Sequence, residues 1–404
     1  HPAMGDFLSM TRNQKANVAE GIRPDENYAR ELLQLFSIGV HELNLDATKK
    51  LDANGNTIPT YNQSTIEQFA KVFTGWTYRD DPDWDLYFAD ADHTRSLVAH
   101  ENYHDRTAKN LLNGAISPAN RSALVDLRFA LDNIFNHPNV GPFVSKRLIQ
   151  RLVTSNPAPD YVARVATVFN DNGEGERGDL KAVVKAILLD DNARRSDIPD
   201  HFGKLREPLL RITHLWRAFK MQKSLKVGHY WDSDRTCGQG TYPSYNFWKS
   251  TSEFKRYIGQ GPLQASSVFN FYLPDFSPAG TLNDQGIAAP EFQIINENTL
   301  AATSNFIHET IEEFSDTKAN TAELEGYSKL NLGRETALAS NTNNLLNHLN
   351  LVLLNGEMSP ALRTILTNHL NKPGAYPTGK EGRFTKAKEA ILLMTSAPDY
   401  LIQR

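Results

Sequence analysis

Cysteine is almost absent from this chain. One thiol, Cys237, stands among 404 residues, which excludes an internal disulfide and suits a reducing compartment or an exported bacterial protein that avoids thiols. Long apolar runs are missing too. No stretch reaches the roughly 18 consecutive apolar residues that a membrane-crossing helix needs. Neither sign of charge dominates. Lys and Arg total 43 against 47 Asp and Glu, a formal net charge of −4, so there is no electrostatic footprint for nucleic acid or an anionic membrane. A phosphate loop is lacking, because Gly238-Gln239-Gly240 has neither the strand nor the helix such a loop joins. A nucleophile elbow is lacking around Ser266 and Ser267. No heptad array or repeat of fixed period occurs.

What is present is helical periodicity with marked ends. The apolar fraction of 40% fits a globular chain long enough to bury a sizeable core. Asp25 and Glu26 mark a helix start, Gly39 a stop, and Tyr28, Leu32, Leu35 and Phe36 form one apolar face. Ser64 and Glu67 read as a capping box ahead of Ile66, Phe69, Val72 and Phe73, with Gly75 ending that helix. Residues 41–63 between these helices read as a loop with a turn at Asp52–Asn56. Residues 76–105 lack a helical period and read as extended segments or a small hairpin. Further helices are expected over 120–136 with Leu124, Leu127, Leu131 and Ile134 inward, then with Phe143, Leu148 and Leu152 inward. Asp160, Asp179, Pro208 and Ser359-Pro360 mark later starts, and helices are expected over 296–314, 341–354 and 385–394. Residues 222–295 are rich in Tyr, Trp, Pro, Gly and Ser and read as a long irregular excursion, either a functional surface or a wrapping of the helical body. The expected fold is mainly α: a multi-helix body with a small extended insertion and an aromatic-rich loop region.

Four constellations could carry chemistry. His100-Glu101-Asn102-Tyr103-His104 matches the H-E-x-x-H spacing that places two imidazoles on one helix face for zinc. The stretch lacks helical periodicity, and a third carboxylate would have to come from Asp126 or Asp132. A looser set of Asp92, His93, His100, His104 and Asp105 would suit a divalent metal, or be a polar loop with His104 bonded to backbone. Glu26, Arg30 and Glu31 could supply a base oriented by a guanidinium, or a salt-bridge network between helices. Lys146, Arg147 and Arg151, with Lys204 and Arg206, could bind an anion such as a sulfated or carboxylated sugar, or be a solvated face. Phe269, Phe271 and Tyr272, with Tyr230, Trp231, Tyr245, Phe247 and Trp248, could stack on sugar rings or pack an irregular segment.

Asn27-Tyr28-Ala29-Arg30-Glu31-Leu32-Leu33-Gln34-Leu35-Phe36-Ser37-Ile38-Gly39, followed by Phe73-Thr74-Gly75-Trp76, resembles the signature of a bacterial family known as domain of unknown function 1800. The resemblance runs on through His104-Asp105 with Lys109, His137-Pro138, Lys204, Glu207-Pro208, Ser267–Tyr272 and Ser396-Ala397-Pro398-Asp399-Tyr400. It spans nearly the whole chain, as the later portion of one family-type helical domain that usually has a further helical part before it. The family has no settled activity. Its members are usually exported, which implies a periplasmic or extracellular location, and their genes neighbour those of another uncharacterised exported family. The expected catalytic residues are Glu26, Arg30, Glu31, His104, Asp105 and Lys109; substrate would meet Trp76, Lys146, Arg147, Lys204, Phe269 and Tyr272; His100, His104 and Asp105 would hold a metal such as zinc. The polar side of the Arg30 helix is expected to meet the His104 region. The expected function is an exported protein that binds or processes an extracellular polymer such as polysaccharide. The alternatives are a metal-dependent hydrolase and a non-enzymatic scaffold for a protein partner.

Overall fold

The structure, a computed structural model, describes residues 1–81, 84, 91–195, 197, 199, 201–221, 254–262, 264–313, 315–317 and 329–403, with 224–231, 237–244 and Arg256 described by backbone alone. It is mainly α, with paired strands in sheets of two. Contacts gather into two compact units, His1–Ile198 and Pro199–Arg404.

The first unit runs α1 Pro2–Phe7, α2 Asn27–Gln34, α3 Gln63–Val72, β1 Trp76–Thr77, β2 Val98–Ala99, β3 Lys109–Asn110 and β4 Ile116–Ser117, then α4 Ala123–Phe135, α5 Val140–Leu152, α6 Pro159–Asn170, α7 Leu180–Leu189 and α8 Asp191–Arg194. Local chemistry explains most of the ends. The Asp25 carboxylate accepts the Asn27 N–H at 2.7 Å, and Asp179 accepts those of Lys181 and Ala182 at 2.9 and 3.1 Å. The expected box at Ser64 does not form. Asn62, in extended backbone, accepts the Thr65 N–H instead and starts α3 before Ser64, which falls inside the first turn. Phe69 and Phe73, both fully buried, anchor the core with Leu33, Ile149, Val165 and Ile187; each ring contributes about 1.5–3 kcal/mol by leaving water. Residues 41–63 form a narrow ladder through the bridges His41↔Pro59, Leu43↔Lys49 and Leu51↔Thr57. Asn139 pins its base, donating to the Ile38 and His41 carbonyls and accepting the Leu43 N–H.

Three helices bury faces other than those expected. In α4 the buried residues are Ala123, Asp126, Ala130 and Ile134, while Leu124 and Leu131 are 45% and 44% exposed. The carboxylate of Asp126 has partners only on the inside, and the helix turns to deliver it. In α5 the inward set is Val140, Gly141, Pro142, Ser145, Ile149 and Gln150, and Leu152 faces out. The helix α2 buries Ala29, Glu31 and Leu33 and leaves Phe36 exposed.

The second unit runs β5 Lys204–Leu205, α9 Pro208–Ala218, β6 Ser224–Trp231, β7 Cys237–Ser244, α10 Phe254–Ile258, α11 Thr281–Asp284, α12 Glu297–Glu313, β8 Ser315–Asp316 and β9 Leu330–Asn331, then α13 Gly333–Leu338, α14 Thr342–Leu354, α15 Pro360–Leu370, α16 Lys380–Thr395, α17 Pro398–Leu401 and β10 Ile402–Gln403. The expected irregular excursion contains regular structure: β6 and β7 form an antiparallel ladder from Ser224↔Ser244 to Trp231↔Cys237. Tyr245, Phe247 and Trp248 lie outside the described residues, as do the side chains of Tyr230 and Trp231. The core joins α9, α12, α14, α15 and α16 through Leu215, Phe306, Leu349, Leu366, Ile391 and Met394. Antiparallel β5 and β10 close the unit with the pairs Ile402↔Leu205 and Gln403↔Lys204.

Candidate functional site

The first unit assembles His104, Asp105 and Lys109 around Asp126. A short hairpin does much of the placing. Asn113, at φ 57°, and Gly114, at φ 73°, turn the chain in the left-handed region. The register then sets Lys109 opposite Ser117, and both side chains reach Asp126 on α4. The Lys109 ammonium spends its three donors on the Asp126 carboxylate at 2.6 Å, the Asp105 carbonyl at 2.6 Å and the Thr107 carbonyl at 2.9 Å. Ser117 donates to the other Asp126 oxygen.

His104 is held from both sides. Its Nδ1 faces the Thr74 carbonyl at 3.0 Å and its Nε2 faces Asp126 at 3.1 Å. The Thr74 hydroxyl accepts the Asp105 N–H at 2.9 Å and donates to the Lys71 carbonyl at 2.7 Å. Gly75 lets the backbones close up: a Cβ there would lie 3.0 Å from the His100 carbonyl and from the His104 N, and its φ is +86°. Burial pushes the Asp126 carboxyl up, but the hydrogen bonds from His104, Lys109 and Ser117 outweigh it and hold the group at about 2. The side chains of His104, Lys109 and Asp126 have no solvent exposure. Their polar atoms are turned on one another, an arrangement that ties the hairpin and the His104 turn to α4.

The other expected residues of this unit are dispersed. His100 and His104 lie at the two ends of a turn, not on one helix face, and the His100 ring packs against Trp84 at 5.6 Å. Among the described residues no group of three or more His, Cys, Asp or Glu is placed to hold a metal ion. The Arg30 helix does not meet the His104 region through its polar side. Arg30 bonds to Glu26 at 2.8 Å, and Gln63 joins the same pair. Glu31 points inward, and burial pushes its carboxyl up against the pull of Arg30. Trp76 is buried on β1. Arg147 lies over the Phe143 ring at 5.4 Å and donates to Gln150; Lys146, half-buried, shares its helix.

In the second unit, Lys204 is buried 3.9 Å from Glu291. Phe269 is 44% exposed, whereas Tyr272 is buried. Arg206 stands at a cleft of about 470 Å³ with Leu210, His214, Arg217, Val352 and Pro398, within the roughly 300–1,000 Å³ range of small-ligand sites. Leu210, His214 and Arg217 are one stripe of α9, and the apolar stripe beside it, Ile212, Leu215 and Phe219, enters the core. The Arg206 guanidinium lies over the Tyr400 ring at 4.6 Å and contacts His214 Nδ1 at 3.0 Å. His214 Nε2 faces the Val352 carbonyl at 3.1 Å. An arginine can only donate and a carbonyl only accept, so His214 carries its proton on Nε2 and is neutral. Burial, reinforced by Arg206, pushes its pKa down accordingly. Beneath lies Arg211, 2% exposed, held at about 10 by burial. Its Nε has no hydrogen-bond partner among the described residues.

Sequence reasoning placed Arg206 in an anion-binding group but missed His214, Arg217 and Arg211. The available signal was the spacing 206, 210, 214 and 217 along the polar flank of a helix whose apolar flank was plain. Two comparisons with known proteins, one against curated proteins and one against solved structures, return no match to this chain. A family model does match, over residues 1–402, so the chain belongs to the family described as Protein of unknown function (DUF1800).

Proposed function

We propose that this is an exported bacterial protein that binds an extracellular polymer, such as polysaccharide, through the cleft beside α9. The observation that carries the reading is the cleft's lining: apolar walls from Leu210, Val352 and Pro398 beside the donors of Arg206 and Arg217. Sugar rings present apolar C–H faces and a rim of hydroxyl acceptors, and this lining offers both complements. Two further features support it. The half-exposed Phe269 is available for stacking. The near absence of cysteine accords with a periplasmic or extracellular site.

Affinity electrophoresis of the full chain through gels holding soluble bacterial polysaccharides tests the proposal. Retardation by at least one polymer is expected, and Leu210→Trp, which fills the cleft from an exposed helix position, abolishes it. Migration unchanged in every gel, or retardation that survives the filled cleft, sinks the reading.

A further inference from the structure

The cations of this cleft are unusual in what they lack. Among the described residues no carboxylate lies within ion-pair distance of Arg206, Arg211 or Arg217, although Asp399 and Glu357 also border the cleft. Asp399 is committed elsewhere, since its carboxylate accepts the Ser359 N–H at 2.8 Å ahead of α15. Glu357 is exposed. A guanidinium withdrawn from water without an acidic partner is costly, and an anion supplied from outside would offset that cost. Arg206 is half-buried, and its fork is held by the Tyr400 ring on one side and by neutral His214 on the other. Arg206 and Arg217 both border the cleft, Arg217 from an exposed position, and the planar donors of a guanidinium suit the two oxygens of a carboxylate or sulfate.

We propose that the cleft takes an acidic sugar residue, its carboxylate or sulfate oxygens seated on the guanidiniums of Arg206 and Arg217 and its ring against Leu210 and Val352. The inference rests on the polymer-binding reading and sharpens it to a substrate class. Arg211 adds positive potential from below without touching the ligand, and His214 acts as a positioning residue for Arg206.

The experiment measures retardation of the full chain in gels of polygalacturonate, dextran sulfate, neutral galactan and neutral dextran, at low and high salt. Expected is retention by polygalacturonate, by dextran sulfate or by both, weakening steeply with salt and at least tenfold stronger than by the neutral polymers. Retention by polygalacturonate alone assigns a carboxylate; retention by dextran sulfate alone assigns a sulfate ester. Arg206→Gln and Arg217→Gln are each expected to lower affinity at least tenfold, Arg206→Lys less so, and exposed Lys372→Gln not at all. Equal retention by the neutral polymers, untouched by Arg206→Gln, overturns the acidic-sugar inference and leaves polymer binding standing. A loss with Lys372→Gln as large as with Arg217→Gln shows diffuse charge attraction and also overturns it. No retention in any gel removes both readings.

Discussion

The two units bury charge in opposite ways. In the first, Asp126 meets three donors and the Lys109 ammonium meets three acceptors, all away from water. In the second, Arg211 is 2% exposed and, among the described residues, has no acid within ion-pair distance. A charge cluster that answers itself has no use for a ligand; its energy goes into holding a turn, a hairpin and a helix together. A cation left unanswered beside a cleft is a cost that a ligand can relieve. The comparison moves functional interest from the residue types that look catalytic in the sequence, His104 and Lys109, to the arginines of α9.

The largest effect that would break this comparison is at Asp126. Asp126→Ala leaves the buried Lys109 ammonium without its counter-charge, though still on the Asp105 and Thr107 carbonyls, and leaves His104 Nε2 without its partner; a loss of about 3–5 kcal/mol is expected, read as a lowered midpoint in urea unfolding. A loss below about 1 kcal/mol would mean that the cluster is not the clasp described here. The same carboxylate sets a smaller, pH-dependent term. Folded Asp126 sits at about 2 against an ordinary 3.8, so the native state binds fewer protons than the unfolded one. Its contribution is complete above about pH 4 and disappears as pH falls through about 2, with a span of about 2 kcal/mol. Acid unfolding of the wild type compared with Lys109→Met checks the sign: the variant, with a weaker hold on the carboxylate, should show less of this loss.

Arg211 should behave in the reverse sense. Arg211→Met replaces a buried cation that has no acidic partner among the described residues with an apolar chain of similar reach, so stability without ligand is expected to hold or rise by about 1 kcal/mol. Calorimetric unfolding of the full chain would show it. A fall of more than about 2 kcal/mol would reveal that the guanidinium already has its compensation inside the protein, and the contrast between the units would vanish.

Much of the helical frame was legible because its signals are local. Asp179, Pro208, Asn341 and Ser359-Pro360 each stand at the helix start that their chemistry favours. What escaped was decided by contacts distant in sequence. The apolar spacing of Leu124, Leu127 and Leu131 pointed to one face of α4, but one carboxylate with three waiting partners outweighed two leucines and turned the other face inward. The Lys109–Ser117 hairpin carried a readable sign, Asn113-Gly114, between segments too short to show alternation. The β6–β7 ladder went unread because frequent Tyr, Trp, Pro, Gly and Ser without long periodicity over 222–295 suggested irregular chain.

The smallest expected effect is at Arg30, and its smallness is informative. The family signature places this residue in a prominent motif, and its pairing with Glu26 invited a catalytic reading. In the structure both side chains are about one-third exposed and lie four residues apart, Glu26 at the cap of α2 and Arg30 within it. A pair in that setting is worth about 0.3–0.5 kcal/mol, because water screens it and ordering two long side chains opposes it. Arg30→Ala should therefore shift the unfolding midpoint barely, and the double variant with Glu26→Ala should show a coupling of the same size. A cost above about 1.5 kcal/mol would mean that Arg30 acts chiefly on the buried Glu31, whose carboxyl its charge pulls downward. The signature helix would then hold a second buried charge pair, and the first unit would depend on two clasps.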